Sequence, residues 1–369
     1  MLDTEDTVEK KKLSIGAITF ISVLAIIFII IGVLSIMKTM GKKELTASIS
    51  GDKEVNIGSA ITPDEKDEES DKSKQILYDG KKYTLNDELI SILVMGIDKE
   101  TVTEIGGQSW DANSTGVNTG GQADALFLML INPHDENVYI VAINRNTMAD
   151  IDVWDNEGRY MGVSKKQIAL QHGYGDGGTE SCERQVKAVS RLFHNIPITS
   201  YVAISMDAIP ALNDAVGGID VTVLDDIIYP EYNMDLHCGD NVTLMGEQAY
   251  WYVRLRNENI FNSNELRLQR QKQYLTSFAA KAKSLSASDV RVAVDLYKKV
   301  SDYMVTDIDL NSFTYLVTDA LNFEFQSKNI YSLKGEVVQG AQFEEFYAYD
   351  NYLQDLIIKL FYEEADDSK

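Results

Sequence analysis

Arginine is scarce in this chain and unevenly placed. Of nine arginines in 369 residues, four (Arg254, Arg256, Arg267 and Arg270) fall between positions 254 and 270, in a protein whose formal net charge is -23. Guanidinium forks match phosphate and carboxylate oxygens bidentately, so the cluster reads as an anion cradle. Arg254 and Arg256 are two apart, which in an extended segment puts both on one face. Arg267, Arg270 and Gln271 stand at i, i+3, i+4, which a helix also presents together. The plainer alternative is a solvated helix whose arginines pair with Glu258 and Glu265, contacts worth little at a surface.

Two carboxylates stand at strand boundaries. Asp98 closes the apolar run Ile90 to Ile97, and Asp124 lies at the start of the run Ala123 to Ile131. Such a pair suits Mg2+, which takes one or two carboxylates, keeps several waters and completes its shell with substrate phosphates. Arg145 follows a third run, Val138 to Ile143, and alone reads as a surface arginine at a strand end. Lys165 and Lys166 precede a glycine-rich loop, His172 to Gly178, that lacks the spacing of a nucleotide P-loop. No nucleophile elbow or Ser-x-x-Lys pattern supports serine chemistry. Four histidines without H-x-x-x-H spacing and two cysteines without C-x-x-C argue against zinc. Cys182 and Cys238 leave both a single bridge and two free thiols open.

The elements that must carry these residues alternate in type. Ala123 to Ile131 and Val138 to Ile143 flank the turn Asn132-Pro-His-Asp-Glu-Asn137 and predict a hairpin. Tyr201 to Ser205, Ile219 to Leu224 and Asn329 to Leu333 read as further strands. Helical periodicity covers Gly177 to Phe193, Asp207 to Val216, Glu247 to Trp251, Ser263 to Ser284, Ser288 to Met304, Leu310 to Leu321 and Gln342 to Tyr362. A hairpin among strands and helices predicts an α/β fold of mixed α+β character, a mixed sheet flanked by helices.

The N-terminus is different in kind. Leu13 to Met37 is twenty-five residues without a charge, long enough to cross about 30 Å of hydrocarbon and too long for a signal-peptide core. Lysines flank it on both sides (Lys10 to Lys12, and Lys38, Lys42 and Lys43), so orientation follows from layout: a short cytoplasmic tail (1–12), one transmembrane helix (13–37) and an external domain. Residues 38–75 are charged and nearly free of large apolar side chains, the composition of a disordered acidic tether. The domain is expected over 76–362 and a short tail over 363–369. The net acidity argues against nucleic acid as a partner.

Taken in order, five segments resemble the LytR-CpsA-Psr (LCP) family of envelope phosphotransferases. They are Ile-Leu-Val-Met-Gly-Ile-Asp98; Gln-Ala-Asp124-Ala-Leu-Phe-Leu; Ala-Ile-Asn-Arg145-Asn-Thr-Met-Ala-Asp150-Ile; Leu-Asn-Asp-Ala-Val-Gly217-Gly218-Ile-Asp-Val-Thr-Val; and Gly246 through Arg254-Leu-Arg256 to Arg267-Leu-Gln-Arg270-Gln271. The resemblance implies an extracellular domain, anchored in the cell membrane, that moves a teichoic-acid-like, capsular or secondary wall glycopolymer from a polyprenyl pyrophosphate carrier to peptidoglycan. It implies an apolar lipid pocket, Mg2+ (or Mn2+) on Asp98 and Asp124, and a catalytic group of Asp98, Asp124, Arg145 and Arg256. Substrate would be held by Arg145, Lys166, Arg254, Arg256, Arg267, Arg270 and Gln271. Alternatives of the same fold are a non-catalytic envelope binding protein and a polyprenyl pyrophosphate phosphatase. The chain departs from the family pattern at Gln122, Asn146 and Asn264, where arginine, aspartate and aspartate are expected. Its nearest match to an expected lysine is Lys166, with Gln167 at the gapless position.

Overall fold

The computed structural model describes residues 38–46, 75–98, 103–105, 108–110, 120–155, 157–257, 259–288, 291–320 and 323–365. The expected membrane span and the cytoplasmic tail lie outside them, and among the described residues no helix is long and apolar enough to cross a membrane.

Six strands form the central sheet: β1 (Ile90–Asp98), β2 (Gln122–Asn132), β3 (Asn137–Ile143), β4 (Ser200–Ser205), β5 (Met304–Thr306) and β6 (Glu324–Ser332), in the order β5-β4-β1-β2-β3-β6. The β2–β3 hairpin is antiparallel, as its turn chemistry predicts, and β2 is also antiparallel to β1. β4 runs parallel to β1 and β6 parallel to β3. The sheet is therefore mixed.

Helices cover both faces. α1 (Thr179–Leu192) and α7 (Asp350–Phe361) pack with Leu93, Leu126, Leu128 and Val141 in the largest core cluster. The opposite face meets α4 (Ser263–Ser288) through Leu268 and α6 (Leu310–Ala320) through Tyr315. Between the sheet and α4, Val94, Ala125, Met129, Leu275 and Ile330 are only partly buried. A second core joins α2 (Ile209–Ala215), α3 (Glu247–Arg254) and the small hairpins of residues 219–244 around Tyr252 and Tyr274. α5 is Arg291–Ser301.

Several elements differ from expectation. The segment expected as one helix from Gln342 to Tyr362 begins as a strand, Glu344–Ala348, and turns helical only at Asp350. Its Phe-Tyr content favours a pleated surface over a helix. Residues 38–46, placed by composition in the tether, are helical, with Leu45 in the cluster of Ile90, Ile92 and Tyr315 and Lys42 Nζ 2.9 Å from Glu88. At the other end Tyr362–Glu364 pairs with the strand Lys81–Leu85, so the domain runs past the expected limit. Cys182 is buried and Cys238 exposed, both free thiols.

Candidate active site

Strand ends deliver the first half of the site to one edge of the sheet. β1 ends on Asp98, β2 starts directly opposite at Gln122, and Arg145 follows the end of β3. Gly96 pairs with Ala125 but Ile97 pairs with Ala123, so Asp124 is the extra residue of a β-bulge. Bulges re-aim side chains and are common beside active sites. Gly121 permits the close approach: its φ is +72°, and a Cβ there would stand 2.7 Å from the Asp98 carbonyl oxygen.

Arg145 forks across β2. One terminal nitrogen lies 2.9 Å from Asp124 Oδ1 and the other donates to Gln122 Oε1. From the covering layer α4 contributes Arg267, 3.7 Å from Asp124 Oδ2. α3 ends on Arg254, which lies 3.0 Å from Asp98 Oδ2 and donates to the Tyr250 hydroxyl. Arg256 is half-buried and close enough to Arg267 to act on its charge. Asp98, Asp124, Arg145, Arg254, Arg256 and Arg267 thus meet at one edge, and the solvated-helix alternative for the arginines does not hold.

A buried amide network orients Arg267. Its second terminal nitrogen donates to Asn264 Oδ1 at 2.6 Å, Asn264 Nδ2 donates to Asn144 Oδ1 at 2.6 Å, and Asn146 N donates to the same oxygen at 2.9 Å. Burial pulls the Arg267 guanidinium down to about 9, with Asp124 opposing and Arg145, Arg256 and Arg270 adding to the fall. The group stays protonated at neutral pH, in surroundings short of negative charge. An arriving anion corrects that shortage.

Two of the three departures from the family pattern lie in this network, and the third is bonded to Arg145. Gln122 accepts from Arg145, Asn264 joins Arg267 to Asn144, and Asn146 Oδ1 accepts from Gln167 Nε2 at 3.3 Å. Gln167, at the end of the strand Tyr160–Gln167, makes this contact, and Lys166 beside it stands opposite Ala149 in the hairpin.

Arg270 and Gln271 are reassigned. Arg270 is 1% exposed, its Nε lies 3.1 Å from Asp225, and its terminal nitrogens donate to the carbonyls of Tyr252, at 2.5 Å, and Leu255. Three residues of helix leave Arg270 rotated by about 60° from Arg267, enough to face a different neighbour. Gln271 Nε2 donates to the Val253 carbonyl at 3.1 Å. Both side chains fasten the end of α3, and so position Arg254 and Arg256 rather than meeting a ligand in this arrangement. Arg254 itself closes a helix; the extended segment expected around it begins only at Leu255.

Among the described residues no three His, Cys, Asp or Glu side chains gather as metal ligands. Asp98 and Asp124 are the residues that would hold a divalent ion, with water and substrate oxygens supplying its other ligands. Asp124 fits that use: its Oδ1 is buried and, despite the ion pair with Arg145, makes no aligned hydrogen bond.

Fold and site together define a mixed α/β protein with a buried arginine and carboxylate cradle at one sheet edge. Residues 52–360 match the LytR_cpsA_psr family, and the chain belongs to it. It is 29% identical over 252 residues (68% of this chain and 72% of the relative) to a polyisoprenyl-teichoic acid--peptidoglycan teichoic acid transferase TagU of Enterococcus faecalis. The transferase of the same description from Oceanobacillus iheyensis is 27% identical over 286 residues, 76% of this chain and 77% of that one. The crystal structure of Bacillus subtilis TagV matches with a TM-score of 0.55 and 25% identity, covering 74% of this chain and 95% of that chain.

Proposed function

We propose that this protein is a membrane-anchored phosphotransferase of the cell envelope that moves a glycopolymer from a polyprenyl pyrophosphate to peptidoglycan. The observation that carries the reading is the convergence of Arg145, Arg254, Arg256 and Arg267 with Asp98 and Asp124 in a buried setting where Arg267 lacks full compensation. Its relatives named as teichoic acid transferases support the substrate class.

Phosphoryl transfer is largely positioning plus neutralisation of charge on the transferring group. The arginines grip the pyrophosphate oxygens from both layers, and the amide network keeps their donors aimed before substrate arrives. Mg2+ (or Mn2+) held by Asp98 and Asp124 would add charge neutralisation on the same oxygens. The polyprenyl chain would run between the sheet and α4, along the partly buried Val94, Ala125, Met129 and Leu275. A glycan hydroxyl of peptidoglycan attacks the phosphorus nearer the polymer, and polyprenyl phosphate leaves.

The test is thermal stabilisation of the full-length protein in detergent by a polyprenyl pyrophosphate with Mg2+, in wild type and Arg256→Ala. Stabilisation of the wild type and a weaker response of the variant are expected; no response from either removes the cradle. Release of inorganic phosphate without attached polymer would make the protein a phosphatase, and binding without turnover would make it a binding protein.

A further inference from the structure

The transfer needs a group to take the proton of the attacking hydroxyl. Asp98 and Asp124 already face guanidiniums, and a proton taken up there would break the ion pairs that hold Arg254, Arg145 and Arg267. A third carboxylate, Glu344, is hydrogen-bonded to the segment that leads into Arg267.

Glu344 opens the strand Glu344–Ala348, which is tied to both halves of the cradle. On the sheet side, Phe346 N donates to the Asn146 carbonyl at 3.0 Å, and Gln167 Nε2 bridges Asn146 Oδ1 at 3.3 Å and the Glu344 carbonyl at 2.8 Å. On the helix side, Asn262 N donates to Glu344 Oε1 at 2.6 Å, two residues before the Asn264 that holds Arg267. The strand is thereby tied through its backbone to the segment carrying Arg145, and the Glu344 carboxylate to the segment leading into Arg267.

Its two oxygens are not equivalent. Oε1 is fixed by a backbone N–H, whereas Oε2 is buried without a hydrogen bond, and so is the Oγ of Ser263, next to Asn262. Buried polar atoms are nearly always paired, and an unpaired acceptor with an unpaired hydroxyl one residue beyond its anchoring N–H suits a ligand that both donates and accepts. A sugar hydroxyl does both.

We propose, resting on the transferase reading, that Glu344 is the general base for the acceptor hydroxyl and that Ser263 helps to seat it. In the step, the hydroxyl oxygen forms a bond to phosphorus as its proton passes to Glu344 Oε2. The bond from phosphorus to the bridging oxygen breaks, and its electron pair leaves with polyprenyl phosphate. The proton then passes from Glu344 to solvent.

The experiment compares full-length wild type, Glu344→Gln and Ser263→Ala in transfer from a polyprenyl-pyrophosphate-linked glycan to a peptidoglycan oligomer. The glutamine variant still accepts from Asn262 N, so its melting temperature and donor KM should equal those of wild type while kcat falls by about 100-fold or more. Ser263→Ala should raise the acceptor KM. A Glu344→Gln enzyme with wild-type kcat overturns the assignment, and so does one that loses donor binding along with rate, which is the result of a structural role. If the wild type itself binds donor but makes no product, the transferase reading fails, an outcome distinct from an active wild type with an active variant.

Discussion

Asn264 Nδ2 donates to Asn144 Oδ1 at 2.6 Å, and the direction of that bond is forced from both ends. Asn146 N–H can meet only an oxygen on Asn144, and Arg267 can meet only an oxygen on Asn264. Position 264 must therefore supply a donor, which aspartate cannot. Asn264→Asp would set two oxygens together, and flipping the Asn144 amide would turn its NH2 toward the Asn146 N–H. We expect Asn264→Asp to lose about 1–3 kcal/mol, whereas Asn144→Asp, which still accepts from both donors, should stay at least as stable as wild type. Denaturant midpoints of the two variants check this asymmetry. Equal losses would contradict it.

Arg267 is 4% exposed and faces more positive than negative charge. Such a group stabilises a bound anion at some cost to the unliganded fold. A pyrophosphate-bearing ligand at one hundred times its dissociation constant should add about 2.7 kcal/mol to stability, and Arg267→Met should abolish most of that gain. Calorimetric melting with and without ligand is the measurement. A full gain in the variant would take Arg267 out of the cradle.

The order of elements and the cradle were legible because their signals are local. Apolar runs end at Asp98 and begin at Asp124, and Gly217 with Gly218, at φ of +78° and +80°, closes α2 where the sequence places a stop. What was not legible depends on tertiary partners. Arg270 and Arg267 share a helix and a spacing, and only the position of Asp225 separates the one that braces α3 from the one that meets Asp124. Asn144 carries no signal of its own, since its role comes from Asn264, on the facing helix. Glu344 was hidden by a helix expectation that its Phe346-Tyr347 neighbours contradict.

Arg270 provides a second stability test. It joins Asp225 to the carbonyls that end α3, so Arg270→Met leaves a half-buried carboxylate and two carbonyls without their partner. A loss of about 3–5 kcal/mol is expected. Adding Asp225→Leu should recover part of it, because the pair is then replaced rather than broken. A double-mutant cycle by urea unfolding reads the coupling, and independent, additive losses would refute the pairing.

Asp152 sets an acid limit to stability. It is 2% exposed, held by Lys187 at 2.8 Å, Arg191 at 3.1 Å and the Tyr160 hydroxyl at 2.9 Å. Burial alone would raise its pKa, but Lys187, Tyr160 and Arg191 outweigh burial and the net shift is downward. A carboxyl depressed in the folded state contributes stability above its unfolded value of about 3.9, lost as pH falls through the folded value. Asp152→Asn should therefore lower the melting temperature at pH 7 and flatten its fall below about pH 4. A variant that keeps the wild-type acid profile would mean that other carboxyls set the limit.

The two cysteines should differ in reactivity rather than pair. Cys182 is fully buried and its thiol is pushed up to about 12, first by burial and then by nearby carboxylates. Cys238 is exposed, its Sγ donating to the Leu224 carbonyl at 3.2 Å. The thiolate is the reactive form, so a native protein should react at one position with a thiol-specific disulfide reagent. Unfolding should release the second. Cys238→Ser should remove the fast reaction and leave the slow one; a native protein with no reactive thiol until reduced would instead require the bridge that the fold does not make.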